Sequence, residues 1–130
     1  MIDFTAFAHG QVQSKLWLCE ELEKYIPEPA RVLILGSWYG VLNFMLMTRN
    51  PNKYELMTSI DKDADAMEVS KKILSAWTVL DDNKHEFLVK DLDQPFVLGT
   101  MYDVVINCSP EHMSSHWFSQ VKEHQLMCIQ

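Results

Sequence analysis

Between Arg31 and Ile129, short apolar runs alternate with stretches of helical periodicity, and this alternation limits the chain to few architectures. The run Val32-Leu-Ile-Leu35 is apolar at every position, so a strand formed there is buried on both faces. It breaks at Gly36. After the turn Gly36-Ser-Trp-Tyr-Gly40 an apolar helix starts near Val41 and must end at Asn50-Pro51, because proline removes a helical hydrogen bond and clashes with the preceding turn. The unit then repeats. A second strand runs from Tyr54 to Ile60 and closes on Asp61, and the following helix carries Ala66, Met67, Val69, Ile73, Leu74 and Trp77 on one broad face. A third strand, Glu86 to Val89, leads into Lys90-Asp-Leu-Asp93, and a fourth runs from Tyr102 to Asn107. A helix is then expected from about Ser109-Pro110 to His124, and a fifth strand from Leu126 to Ile129. Ahead of the first strand, Val12, Leu16, Cys19, Leu22 and Ile26 recur at helical spacing opposite Glu20, Glu21, Glu23 and Lys24. They predict an amphipathic helix from Gln11 to Ile26, stopped by Pro27 and Pro29.

Strands that are apolar on both faces and joined through helices pair in parallel by right-handed crossovers. The expected fold class is therefore α/β: a three-layer, Rossmann-like parallel sheet with helices on both faces, reaching about its fifth strand. At 130 residues the chain forms one domain over residues 1–130, with residues 1–29 as an N-terminal helical segment. No apolar stretch approaches the ~20 residues of a membrane span, and no basic flank precedes an apolar core at the N-terminus, so the reading is a cytoplasmic protein with no membrane partner. Cys19, Cys108 and Cys128 are odd in number and far apart, which gives neither a disulfide framework nor a metal knuckle. With 11 Lys and Arg against 18 Asp and Glu, the formal charge of -7 argues against a broad contact with naked nucleic acid.

In such sheets ligands bind outside the carboxyl ends of the strands, so the chemistry is sought just after each one. A dinucleotide fingerprint needs glycine where this chain has Trp38 and Val41, because the backbone must approach a pyrophosphate closely. A nucleoside without a pyrophosphate fits better, since it needs tight turns at Gly36 and Gly40 but tolerates bulk between them. Asp61 stands 25 residues after Gly36, at a strand end where a carboxylate accepts the hydroxyl hydrogens of a ribose. Its other reading is a helix N-cap, for which Asp63 and Asp65 lie nearer the periodic run. Asp91 is placed to accept from an adenine amino group while the Leu92 backbone meets the ring; its other reading is a solvated turn aspartate.

The set V-L-I-L-G-S-W-Y-G, S-I-D, V-K-D-L and Y-D-V-V-I-N-C-S-P, in this order, resembles the class I S-adenosylmethionine-dependent methyltransferases over Arg31 to Ile129. The resemblance implies S-adenosylmethionine as cofactor. It places the methionine part on Gly36, Ser37, Trp38, Tyr39 and Gly40, the ribose on Asp61 beside Lys62, the adenine on Asp91 and Leu92, and the transferred methyl beside Asn107, Cys108 and Ser109. Trp38 or Tyr39 would wall the methionine arm, with a cation-π attraction to the sulfonium on the order of 0.5–2 kcal/mol. Packing against the N-terminal helix is the other reading of these aromatics. The family's pre-sheet segment often folds over the cofactor, which would bring Lys15 or Gln11 to its carboxylate; a solvated helix face is the alternative.

The fourth motif departs from the Pro-Pro-aromatic run of many amino-methylating members, since Asn107-Cys-Ser-Pro-Glu-His112 has one proline and no aromatic, which counts against a nucleobase acceptor. Ser109, Pro110 and Glu111 also read as a plain helix start. His112 is the candidate general base, with a surface or capping histidine as the alternative. His112 and His116 have the spacing of a metal pair, but no third ligand is recognisable and no metal is assigned. An apolar fifth strand left at a sheet edge would invite pairing, so a homodimer through that edge is one expectation and a longer sheet the other. Three functions follow: a methyltransferase acting by positioning on a small molecule or protein acceptor, a non-catalytic adenosyl-ligand-binding or partner domain, and a dinucleotide-dependent oxidoreductase.

Overall fold

The computed structural model describes residues 3–77, 84–93, 101–108, 121 and 125–129. The unbroken apolar run forms β1 (Ala30–Leu35), the central strand of a five-stranded sheet. Around it lie β2 (Tyr54–Asp61), β3 (His85–Val89), β4 (Val104–Asn107) and β5 (Leu126–Ile129), in the order β3-β2-β1-β4-β5 with every pair parallel. Leu35 lies opposite Ile60 on one side and Asn107 on the other, and Asp61 lies opposite Val89, so the carboxyl ends of four strands finish side by side.

The helices are α1 (His9–Leu22), α2 (Val41–Arg49) and α3 (Ala64–Trp77), and a short 3-10 helix, Phe4–Phe7, precedes α1. The first helix begins two residues before the expected Gln11 and ends four residues before Ile26. The N–H groups of Tyr25 and Ile26 both turn back to the Leu22 carbonyl, each at 2.9 Å, because the residue before Pro27 is disfavoured in the helical region. Ile26 is buried all the same. The fourth strand starts at Val104 rather than Tyr102, whose hydroxyl donates to Thr58 Oγ1 at 3.0 Å.

Alternation along the strands divides the core. Val32, Ile34, Val104 and Ile106 face α1 and α2, where they meet Leu18, Cys19, Leu22, Leu42 and Leu46. Each such aliphatic side chain taken out of water contributes about 1.5–3 kcal/mol. Leu33, Leu35, Val105 and Ile60 face the other way, towards Leu92, Tyr102 and Val121. The helix expected from Ser109 to His124 lies outside the described residues. The end of α1 is fastened to α2 by Glu23, whose carboxylate accepts from Arg49 Nε and Nη2 at 2.6 and 3.0 Å. No helix among the described residues is long and apolar enough to cross a membrane.

Candidate functional site

The hydrogen-bond ladder of the sheet continues past the strand ends. Gly36 N–H donates to Ile60 O at 2.8 Å, Lys90 N–H to Asp61 O at 2.9 Å, and Cys108 N–H to Leu35 O at 2.9 Å. The loops after β1, β3 and β4 therefore leave the sheet already fastened to a neighbouring strand.

The turn after β1 has three residues in the left-handed region: Gly36 (φ 67°), Trp38 (φ 50°) and Gly40 (φ 77°). For Gly40 this conformation is reinforced by space, because a Cβ added there would press on the Ser70 hydroxyl and lie 3.2 Å from the Ser70 Cβ. Trp38 pays for the same conformation, roughly 1–2 kcal/mol for a residue with a side chain. It is held there by Asp61, whose Oδ2 accepts the Trp38 N–H at 2.8 Å. The other oxygen of Asp61 accepts the Asp63 N–H at 2.9 Å, and Asp63 caps α3 by accepting from Ala66 N–H at 3.0 Å. Of the two readings of Asp61, the helix cap thus falls to Asp63. Asp91 takes the turn geometry foreseen for it, with Oδ1 accepting the Asp93 N–H at 2.9 Å, while the next residue, Leu92, is buried.

The two aromatics of the turn differ. Tyr39 is 6% exposed, stacked on Trp38 (centroids 5.0 Å apart, 22° between planes) and on Phe7 (6.0 Å, 11°), and its hydroxyl accepts the Asp3 N–H at 2.8 Å. Trp38 is half-buried and packs with Tyr39 towards Ala66 and Val69 of α3. The aromatics of the turn thus pack on α3 and, through Tyr39, on the 3-10 helix Phe4–Phe7.

These loops enclose one cleft of about 550 Å³. Gly36, Ser37, Trp38 and Tyr39 line it after β1, Asp61 and Lys62 after β2, Asp91 and Leu92 after β3, Cys108 after β4, and Lys15 from α1. Gly40 and Asn107 do not line it. Gly40 sits against Ser70 at the start of α2, and Asn107 is fully buried. As the last residue of β4, Asn107 shares by alternation the face of Val105, whereas Cys108 turns to the side of α1 and α2. His112, Ser109 and His116 lie outside the described residues. Thr5, Val41 and Asp93 also line the cleft, without a sequence signal that singles them out; Lys90, inside the V-K-D-L motif, joins them.

The charge inside is mixed, with Lys15, Lys62 and Lys90 against Asp61, Asp63, Asp91 and Asp93. Lys15 Nζ donates to Gln11 Oε1 at 3.2 Å, and both residues face the cleft. Burial pushes the Cys108 thiol up to about 12, against the opposing pull of Lys15, so it stays a protonated thiol at neutral pH. Among the described residues no three His, Cys, Asp or Glu side chains are grouped to hold a metal ion.

No family model and no curated protein matches this sequence. Solved structures do match its shape. Coclaurine N-methyltransferase bound to N-methylheliamine and S-adenosylhomocysteine superposes over 89% of this chain with a TM-score of 0.69 and 16% identity. YjhP from E. coli superposes over 90% with 0.71 and 18%, and an S-adenosylmethionine-dependent methyltransferase from Aquifex aeolicus over 91% with 0.67 and 14%. The present chain spans 34%, 47% and 71% of the lengths of these three. At such identities the likeness is one of fold.

Proposed function

The chain has the fold of the class I S-adenosylmethionine-dependent methyltransferases, and on that premise we propose that it binds S-adenosylmethionine and serves methyl transfer to a small molecule or protein acceptor. The observation that carries the proposal is the convergence of four strand-end loops and the N-terminal segment on one cleft, with Asp61, Asp91-Leu92 and Lys15 all on its wall.

The residues fit the group in kind. An ionised carboxylate has about four acceptor positions. Asp61 uses two of them on the N–H groups of Trp38 and Asp63, which leaves capacity for two ribose hydroxyl hydrogens. Leu92 offers an apolar surface and Asp91 a polar edge for a base, beside Lys62. Gln11 and Lys15 also line the cleft, where a carboxylate of the amino-acid arm would find their donors, and Trp38 lines it with them. The tryptophan also occupies the place where a pyrophosphate would need bare backbone, which sets the oxidoreductase reading aside. When bound, the cofactor supplies an electrophilic methyl on a sulfonium. The chain's own part is to hold the two reactants in line and keep water from between them. Asn107 supports the methyl end from within the sheet, Cys108 borders it, and His112 is the proposed proton acceptor.

A second reading has an observation in its favour. Among the described residues of the cleft, Cys108 is held protonated, and the carboxylates of Asp61 and Asp91 already accept backbone N–H groups. A domain that binds the nucleoside without turnover, as a sensor or partner subunit, would need no more than this. Pairing of the outer strand β5 with a second copy of the chain is one proposal for its free side and a longer sheet the other, and size measurement in solution tests the first.

Titration calorimetry with S-adenosylmethionine, S-adenosylhomocysteine and NADH separates the readings. Binding of the first two and not the third is the expected result, and no binding of either adenosyl compound overturns the proposal. Transfer of a labelled methyl group to a panel of amines, thiols and peptides then distinguishes the enzyme from the binding domain.

A further inference from the structure

We infer that Tyr39 is a positioning residue that braces the N-terminal wall of the cleft, acting on a bound adenosyl ligand through Asp3, Thr5 and Phe7. The inference rests on the proposed cofactor. Tyr39 lines the cleft, but it is only 6% exposed, and both ring and hydroxyl are engaged by neighbours. Trp38 and Phe7 both stack with the ring, and the hydroxyl accepts the Asp3 N–H at 2.8 Å. Two residues beyond Asp3, Thr5 lines the cleft, and α1 starts at His9 and brings Gln11 and Lys15 to the same wall.

Among the described residues the other hydrogen bonds of the segment are local. Asp3 Oδ1 accepts from Thr5 N–H and Thr5 Oγ1, and Thr5 O accepts from Ala8 N–H. Among the described residues, the Asp3–Tyr39 bond is the one by which residues 3–7 reach the strand-end loops. Little apolar burial assists it, since Phe4 is 75% and Phe7 41% exposed. A segment with few buried contacts opens easily unless something outside it holds it. Tyr39 is that hold, and its neighbour Trp38 is tied to Asp61 at the end of β2, so the brace and the turn's bond to the proposed ribose acid sit on adjacent residues.

The test measures association and dissociation rates of S-adenosylhomocysteine by stopped-flow for the wild type, Tyr39→Phe, Phe7→Ala and the double variant. Tyr39→Phe removes the hydroxyl and keeps the ring; Phe7→Ala removes the stack from the other partner. Each single variant is expected to raise the dissociation rate on the order of fivefold, as for the loss of one hydrogen bond or one ring stack, with the association rate changed less. The double variant is expected to be no worse than the larger single, because both substitutions release the same segment. An unchanged dissociation rate in Tyr39→Phe, or effects that simply multiply, overturns the inference. A wild type that binds no adenosyl compound overturns the functional reading instead. The brace is then read from amide exchange at Asp3 and Thr5 in the free protein: faster exchange in Tyr39→Phe supports it, and unchanged exchange refutes it.

Discussion

Asp61 Oδ2 accepts the backbone N–H of Trp38 at 2.8 Å, so the acid at the end of β2 fixes the left-handed turn at the end of the neighbouring β1. The carboxylate has a structural task before any ligand arrives, and its two oxygens serve two backbone donors at once.

Replacing Asp61 by asparagine turns one of those acceptors into a donor facing an N–H group. Asp61→Asn is expected to lower stability by about 1–3 kcal/mol, the cost of a donor left without its acceptor, and to weaken S-adenosylhomocysteine by at least about tenfold. Urea unfolding and calorimetry read the two effects separately. Unchanged unfolding would mean that the carboxylate does not hold the turn.

Trp38 combines a backbone conformation suited to glycine with a ring that stacks on Tyr39. In Trp38→Gly the backbone relief of roughly 1–2 kcal/mol offsets only part of what is lost, a stack of about 0.5–1.5 kcal/mol and the half-buried packing on Ala66 and Val69, so a net loss of up to about 2 kcal/mol is expected. Trp38→Val loses the stack and keeps the strain, and is expected to be the less stable variant in the same urea series.

Gly40 needs both its positive φ and its lack of a side chain. Gly40→Ala should cost about 2 kcal/mol or more, from the left-handed conformation together with crowding against Ser70. The Ser70 hydroxyl is fully buried with no hydrogen-bond partner among the described residues, so Ser70→Ala alone is expected to be neutral or stabilising. In the double variant the crowding is partly relieved, and thermal melts of the four proteins would show less than additive loss.

Burial raises the thiols of Cys19 and Cys108 from an ordinary 9.0 to about 12. Above pH 9 the unfolded chain releases these protons while the folded chain keeps them, so stability is full below that pH and declines as pH rises towards 12. By pH 10 each thiol accounts for a loss of about 1.4 kcal/mol. Cys19→Ala would start from a lower stability but show a flatter alkaline profile, measured by urea midpoints between pH 8 and 10.5.

β1 and β4 were legible as apolar runs, β1 between Pro29 and Gly36 and β4 after Asp103, β2 as a mainly apolar stretch closing on Asp61, and the parallel order follows from alternation with helices. Spacing also moved the helix cap away from Asp61, to Asp63 or Asp65, and Asp63 is the one that accepts from Ala66 N–H. The setting of Tyr39 was not legible. Its partners Asp3 and Phe7 are more than thirty positions away, and no local pattern encodes a contact across that distance. Asn107 shows the opposite difficulty, because a motif match placed it at the cofactor while strand alternation turns its side chain to the face of Val105, where it is fully buried. The end of α1 was misjudged by four residues, since Ile26 keeps its place in the apolar stripe through a turn rather than through the helix.

The bonds that run from Gly36 to Ile60, from Lys90 to Asp61 and from Cys108 to Leu35 mean that the floor of the crevice is shaped by the sheet's own ladder. A visiting nucleoside would spend little of its affinity on ordering that floor. Selection among visitors would then be made at the rim, where the N-terminal residues meet the mouth, and changes there would retune the pocket without unsettling the sheet beneath.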